Sequence, residues 1–439
     1  MSQGKGQDGK QHRGQLVLQG GRVVDPSQGL DGRRDLLVED GVVRAVEESL
    51  EVPEGAEVFD ASELVVAPGL IDMHVHLREP GFEYKETLLT GTRSAAAGGF
   101  TAVACMANTS PVNDNSSVTR HILAEAERSG FARVYPIGAI SKGMKGEELS
   151  ELGEMVRAGA VAVSDDGLPV KNAELMRRAL LYARHFDVPV IQHAEDLDLT
   201  GPGVMHEGEW STRLGLPGIP GASEDVVVAR DLILAEDSGG RYHVAHLSTG
   251  RALRLVRRAR EDGLKVSCEV TPHHLLLTDQ AVAEYNYSAN TKMKPPLRSE
   301  ADRQALLEGL ADGSIDVIAT DHAPHHPDEK AVQFSCSPFG ILGLETALPL
   351  SLDRLVHAGV ISLSRMVDLL SCGPARVLGI PGGTLAPGSV ADITVFDPEK
   401  ETTIDVSKSE SKSRNTPFDG WRLKGSPVAT FLGGRRVTL

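Results

Sequence analysis

Sulfur is scarce in this chain, and positive charge is in deficit. Cys105, Cys268, Cys336 and Cys372 are scattered through 439 residues with no CxxC pairing, so no disulfide framework is written here and a reducing, cytoplasmic setting is expected. A formal charge of -16 excludes nucleic acid and anionic membrane as main partners, since both demand a cationic surface, although a local basic pocket stays open. No apolar run approaches the length of a membrane span. Met1 to Gly14 is polar and rich in Gly and Gln, without the apolar core of a signal peptide, and is expected to be a disordered tail (1-14). No glycine-rich dinucleotide turn is present. What remains is an ordinary globular composition on a chain too long for one typical core, so a large barrel or two to three domains are expected.

From Leu16 to Ala67 short β-type runs alternate with turns at Gly20-Gly21, Asp31-Gly32 and Asp40-Gly41, the signature of an all-β unit. After Pro68 the rhythm becomes a βα repeat. Eight strands are predicted: Leu70 to His76, Thr101 to Met106, Arg133 to Ala139, Ala160 to Ser164, Val188 to His193, Tyr242 to His246, Lys265 to Val270 and Ile315 to Asp321. Helical stretches such as Lys85 to Ala97, Asn172 to His185, Ser223 to Asp237 and Glu300 to Asp312 lie between them. Eight such units over about 250 residues predict an α/β fold, a (β/α)8 TIM barrel. Beyond Leu378 the chain returns to β-type sequence. The expected domains are therefore a barrel over 69-381 and a small β-sandwich built by both chain ends, 15-68 and 382-439, with Ser407 to Asn415 as a loop.

Chemistry concentrates where such a barrel keeps it. Pro68-Gly69-Leu70-Ile71-Asp72-Met73-His74-Val75-His76-Leu77-Arg78 ends in two histidines and an arginine at alternate positions, which share one face if the strand continues. At the ends of the later strands stand Asn108, Asp165-Asp166, His193, His246, and Asp321 followed by His322 and His325. His12, His121, His185, His206 and His357 fall elsewhere and read as surface or helix residues. A single histidine of this kind is ordinarily a core imidazole bonded to a carbonyl. Four imidazoles with two or three carboxylates on one edge are too costly to bury without a cation. Nitrogen and oxygen ligands without thiolate favour zinc, with manganese, cobalt and iron left open. Six ligands exceed the needs of one tetrahedral zinc, so two metals sharing a bridging carboxylate is the natural count. Such a pair generates hydroxide near neutral pH and hydrolyses amides or esters. A metal-adjacent carboxylate then moves the proton, and Asp321 is the candidate.

The HxH after Pro-Gly-Leu-Ile-Asp, the single histidines His193 and His246, and Ala319-Thr320-Asp321-His322-Ala323-Pro324-His325 resemble the amidohydrolase superfamily of cyclic-amide hydrolases. His74-Val75-His76-Leu77-Arg78-Glu79-Pro80-Gly81, Asp165-Asp166-Gly167, Glu269-Val270-Thr271-Pro272-His273-His274, Pro338-Phe339-Gly340 and Ser413-Arg414-Asn415-Thr416-Pro417-Phe418 resemble the class I dihydroorotases in particular, from about residue 16 to the C-terminus. The resemblance implies two zinc ions per subunit, with His74 and His76 on one, His193 and His246 on the other, Asp166 bridging (Asp165 as the alternative), and Asp321 as ligand and proton shuttle. It further implies that Arg78, Asn108 and His325, beside His76, hold the substrate carboxylate, and that Phe339 and Gly340 contact the pyrimidine ring. The substrate implied is the N-carbamoyl-L-aspartate/dihydroorotate pair of pyrimidine synthesis. Self-association and association with aspartate transcarbamoylase stay open.

Hydantoinases, dihydropyrimidinases and many allantoinases bridge their metals with a carboxylated lysine. Ala162-Val163-Ser164-Asp165-Asp166 offers none, and the nearest lysine is Lys171. One departure stands out: family members often read KMNPPLR where this chain has Lys292-Met293-Lys294-Pro295-Pro296-Leu297-Arg298. An ammonium has donors only and cannot reproduce an amide's donor and acceptor pair. Lys294 turns outward, meets a carboxylate, or alters substrate preference. The alternatives to a dihydroorotase are another cyclic-amide hydrolase of allantoinase or hydantoinase type, and a non-catalytic subunit that has kept the fold. Gly201 to Pro220 is a candidate closing loop by its length.

Overall fold

The computed structural model describes residues 14–439, so the expected N-terminal tail lies outside the described residues except for Gly14. Eight parallel strands form the centre: Leu70–Val75, Phe100–Cys105, Arg133–Gly138, Ala162–Ser164, Val190–Gln192, Tyr242–Val244, Val266–Val270 and Val317–Ile318, each paired with its sequence neighbour. The ring closes where Val75 bridges His322 in parallel and the His76 amide donates to the His322 carbonyl at 2.9 Å. Each strand falls on one predicted from β-branched runs, and the (β/α)8 barrel is as expected.

Helices wrap the outside for local reasons. In Ala173–Arg184 the buried residues Leu175, Met176, Ala179, Leu180 and Ala183 recur on one face, and the Asn172 side chain accepts from the Glu174 and Leu175 amides; an amphipathic stripe and a capped end are sufficient to fix it. Ser299 caps Glu300–Ala311 in the same way, and Gly239 ends Ala222–Ser238 in the left-handed region. Ile71, Met73, Ala102, Ile137, Ala162, Ile191 and Val317 fill the barrel interior, with Val377 and Ile380 beneath them. The catalytic end of such a barrel is the opposite one, at the strand C-termini.

Both chain ends meet in a second, mixed sheet of eight strands. Ile393–Thr403 lies between Val65–Pro68 and Arg422–Leu432, and Gln15–Asp25 continues the sheet on the other side toward Leu30–Glu39 and Val42–Glu47. Leu18, Leu36, Val43, Ile393, Val395 and Phe431 share its core. The two chain ends, expected to build a small β-sandwich, share one continuous hydrogen-bonded sheet over its own core. The predicted strands Leu16 to Leu18 and Gly21 to Val24 are one strand with an irregularity between Leu18 and Gly21. Among the described residues no helix is long and apolar enough to cross a membrane.

Candidate metal centre and active site

The first barrel strand does not alternate strictly. Leu70, Val75 and Leu77 belong to the core shared with the helices, whereas Ile71 and Met73 face the barrel interior. Simple alternation from Leu70 would send His74 and His76 outward. The pairing with the second strand is irregular between Asp72 and Val75, and the buried Asp72 carboxylate accepts from the amides of His74 and Thr320, both at 3.1 Å. This irregularity turns the two histidines and Arg78 inward, as bulges near active sites do. Arg78 (φ 62°), His246 (φ 31°) and Asp321 (φ 47°) all take left-handed backbone, which costs about 1–3 kcal/mol per residue and is characteristic of sites that hold a geometry for function.

Six side chains converge. Asp166 Oδ2 lies 3.4 Å from His74 Nε2 and 3.3 Å from His76 Nε2, and Asp321 Oδ1 lies 3.4 and 3.0 Å from the same two nitrogens. The other Asp166 oxygen, Oδ1, lies 3.5 Å from His193 Nδ1 and 3.3 Å from His246 Nε2. One carboxylate thus divides its oxygens between two sets of donors, each set within 4.8 Å. Asp165 is committed elsewhere: its carboxylate accepts from the Ile140 and Ser141 amides at 2.7 and 3.1 Å and from the Ser141 hydroxyl. All six cluster residues are buried.

The electrostatics call for a cation. Burial alone would lower the His74 pKa, yet Asp166, Glu269 and Asp321 together raise it well above the usual imidazole range. His193 is lifted to about 9, against burial, by Asp166 and Glu195. Burial would raise Asp166, but the surrounding imidazoles hold it far below the ordinary carboxylate range. His74 Nε2, Asp166 Oδ1 and His246 Nδ1 have no hydrogen-bond partner although buried, and buried polar atoms of that kind require explanation. Metal ions held by nitrogen and oxygen donors fit this cluster, and thiolate is absent from it.

Several groups that hold the cluster escaped the sequence reading of individual roles. Glu269 Oε1 meets His74 Nδ1 at 2.5 Å and the His246 amide at 3.1 Å, while Oε2 meets His243 Nε2 at 3.3 Å; carboxylates behind metal-facing imidazoles fix their tautomer and raise their basicity. Glu195 Oε2 lies 3.1 Å from the far nitrogen of His193. Asn415 receives the His325 amide at 3.0 Å and donates to the carbonyls of Ala323 and Gly340 at 2.9 and 3.0 Å. The polar segment expected as a loop is mostly one, and it forms part of the site's support. Glu195 stands only two residues beyond His193, whereas Glu269 and Asn415 reach partners 75 or more positions away apart from the His246 and His243 contacts 23 and 26 away, and only the quoted family motifs pointed at Glu269 and Asn415.

Above the cluster opens a cavity of about 340 Å³ whose lining includes His76, Arg78, Asn108, Lys294, Phe339 and Gly340. Asn108 turns its oxygen to His76 Nδ1 at 2.9 Å, leaving its amide nitrogen toward the cavity. Arg78 Nε donates to the Pro324 carbonyl at 3.2 Å, and among the described residues no carboxylate lies within 4.0 Å of its guanidinium. Burial pushes its pKa down to about 10. His325 Nε2 faces the Phe339 carbonyl at 2.8 Å and Nδ1 faces Glu329 at 3.3 Å; burial and then the charges of Arg78, Lys330 and Lys85 push its pKa down, while Glu329 opposes them. Gly340 has φ 147°, its amide donates to the Lys292 carbonyl at 2.9 Å, and a Cβ there would sit 2.8 Å from the Ala323 oxygen. Only glycine fits that approach.

Lys294 meets a carboxylate: its ammonium stands 2.9 Å from Glu195 Oε1. Lys171 is half exposed and lies 3.5 Å from Asp198 at the surface, so no lysine enters the cluster. Residues 201–220 carry helix Glu209–Leu214 and a short parallel pair, Met205–His206 with Gly218–Ile219. His206 is therefore on a half-buried strand, 3.4 Å from Arg298 Nη1, where a surface or helix residue was expected.

A barrel of this form with imidazoles and carboxylates gathered at the C-terminal strand ends defines a metal-dependent amidohydrolase. Residues 63–252 match the model of the Dihydro-orotase-like family. The chain is 56% identical, over 96% of its length and 99% of that protein, to a dihydroorotase of Geobacter metallireducens, and 56% identical, over 96% and 97%, to one of Anaeromyxobacter dehalogenans. In solved structures it is similar to the L-hydantoinase (dihydropyrimidinase) of Arthrobacter aurescens, with TM-score 0.87 and 25% identity over 96% of each chain, and to the D-hydantoinase (dihydropyrimidinase) of a Thermus species, with TM-score 0.79 and 26% identity over 96% and 94%. The chain belongs to the dihydroorotase family.

Proposed function

We propose that this protein is a dihydroorotase that interconverts N-carbamoyl-L-aspartate with (S)-dihydroorotate and water in pyrimidine biosynthesis. The observation that carries the reading is the divided Asp166 carboxylate standing beside a half-buried arginine that no carboxylate pairs directly. The first supports a two-metal hydrolytic centre, and the second supports a substrate that bears a carboxylate.

In this reading His74, His76 and Asp321 would hold one zinc ion and His193 and His246 the other, with Asp166 belonging to both ligand groups. Zinc bound there would supply Lewis-acid charge for ionising water near neutral pH and polarising the amide carbonyl. The remaining work belongs to side chains. Arg78 takes the substrate carboxylate as a planar fork, with the Asn108 amide nitrogen and His325 beside it. Phe339 and Gly340 meet the ring through their backbone. Asp321, 3.0 Å from His76 Nε2, accepts the proton of the attacking water and returns it to the ring nitrogen as the amide bond breaks. Glu269 holds His74, and Glu195 holds His193, through their far nitrogens.

A hydantoinase or allantoinase reading leaves the Arg78 guanidinium facing the cavity with no substrate anion and lacks the bridging lysine. Four free cysteines, three of them buried, support a reducing cytoplasm. Self-association and a complex with aspartate transcarbamoylase rest on the resemblance alone, and sedimentation with and without that enzyme tests them. The reading itself is tested by following hydrolysis of L-dihydroorotate by ultraviolet absorbance before chelation, after chelation and after zinc restoration, beside hydantoin and allantoin. Chelator-sensitive turnover of dihydroorotate alone is expected. Turnover of hydantoin or allantoin in its place, or none with two metals bound, overturns it.

A further inference from the structure

Two cations line the cavity, Arg78 and Lys294, and they are held in opposite ways. Arg78 is half-buried and, among the described residues, has no carboxylate within 4.0 Å of its guanidinium, its Nε donating to a backbone carbonyl. Lys294 is paired with Glu195 at 2.9 Å, and its ammonium stands 5.3 Å from the centre of the Phe339 ring. A cavity-lining guanidinium without a directly paired carboxylate favours an anion, whereas an ion pair already closed on itself adds little net charge to the cavity. An ammonium nevertheless has three donors. Glu195 occupies one, and the side chain stays partly exposed to the cavity. What Lys294 offers a ligand is a directed hydrogen bond suited to a neutral acceptor.

In the dihydroorotase reading, on which this inference rests, the substrate carboxylate goes to Arg78 and the scissile carbonyl faces the imidazole and carboxylate cluster. The ring has one polar acceptor left, the ureido oxygen between its two nitrogens. We propose that Lys294 is a specificity-determining residue that donates a hydrogen bond to the ureido oxygen of the substrate, with Glu195 and the Phe339 ring fixing its ammonium in the cavity wall. Glu195 also meets His193, so a lysine acting only as counter-ion for Glu195 is the competing explanation, and the experiment separates the two.

The test compares kcat and KM of the zinc-loaded full chain, as wild type, K294M, K294L and K294N, on L-dihydroorotate and on its 2-thio analogue, whose sulfur is a poor acceptor. Metal content and melting temperature are recorded for each protein, and K294L carries the comparison if K294M does not fold. Losing one hydrogen bond of this kind lowers kcat/KM for dihydroorotate by about 10- to 100-fold in K294M, mostly through KM. With the thio analogue the loss is to stay within about three-fold, because that bond is already weak in the wild type. K294N, which keeps a neutral donor, is to fall between. Equal losses on both substrates place the action of Lys294 in Glu195 and His193 and overturn the proposal, as does no loss on either. A metal-loaded wild type inactive on dihydroorotate overturns the dihydroorotase reading and this inference with it; an active wild type with uniform variant losses overturns this inference alone.

Discussion

Replacing Glu269 by glutamine removes a charge from beneath the cluster while leaving its hydrogen-bonding shape. Glutamine's oxygen can still accept from His74 Nδ1 and the His246 amide, the two partners of Glu269 Oε1, and its amide can face His243. What is lost is the anion that makes His74 a stronger donor. Removing such a supporting carboxylate typically costs 10- to 100-fold in metal affinity, which converts to about 1.4–2.7 kcal/mol. Glu269→Ala is a different perturbation. It strands His74 Nδ1, the His246 amide and His243 Nε2 inside the protein, each at about 1–3 kcal/mol, a total of roughly 3–9 kcal/mol against a typical domain stability of 5–15. The expectation is a glutamine variant that folds and releases metal to a competing chelator 10- to 100-fold more readily, and an alanine variant that melts far below wild type. Chelator competition at pH 7.5 and thermal unfolding read the two effects separately. If Glu269→Gln holds metal as tightly as the wild type, the carboxylate does not tune His74, and the reasoning from its 2.5 Å contact fails.

The other expectations concern single groups. Asp166→Ala is to lose metal from both halves of the cluster by elemental analysis, whereas Asp165→Ala is to keep metal and lose stability, because it leaves the Ile140 and Ser141 amides without their acceptor. Asp321→Asn is to keep the wild-type melting behaviour while kcat falls about 10²- to 10⁴-fold, the usual worth of a positioned proton carrier. Arg78→Met is to weaken transition-state binding of dihydroorotate by about 2–5 kcal/mol, as for truncation of one partner of a buried charge pair, with kcat/KM as the readout. Asp231 has its pKa raised to about 6 by burial, against the Arg230 charge, from 3.8. A folded value above the unfolded one gives stability that is complete below pH 3.8 and is lost as pH rises through 6, about 3 kcal/mol in all. Asp231→Asn is to flatten the denaturant stability curve over that window, and an unchanged slope refutes the assignment.

The barrel was legible because each strand is a short β-branched run and each helix carries its own stripe and cap, signals that live within a dozen residues. The direction of His74 and His76 was only half legible. Their two-residue spacing puts them together, but the side they face depends on an irregularity between Asp72 and Val75 that involves the neighbouring strand and the Thr320 amide. Asp165 and Asp166 are adjacent and chemically identical, so local sequence cannot separate them; the Ile140 and Ser141 amides, some 25 residues away, do. Glu269 and Asn415 act on partners by contact rather than by pattern, and a contact across 195 positions, as between His74 and Glu269, leaves no periodic trace. Lys294 shows the same limit from the other side: its spacing within a motif flagged it, but its partner Glu195 could only be seen in three dimensions.

The strand carrying His74 and His76 is tied at its start to residues near the far end of the chain. The Gly69 amide donates to the Asp392 carbonyl at 2.9 Å, and the Leu70 amide donates to the Thr394 hydroxyl at 3.0 Å, which itself reaches the Gly99 carbonyl at 2.6 Å. During synthesis those partners emerge more than 300 residues after the histidines. The barrel's own pairing with Phe100–Cys105 and His322 sets the strand within the ring, and the distant C-terminal segment adds the ties at its start. The second sheet therefore serves as a clasp on the strand that carries His74 and His76, coupling the two ends of the chain to the seat of the cluster.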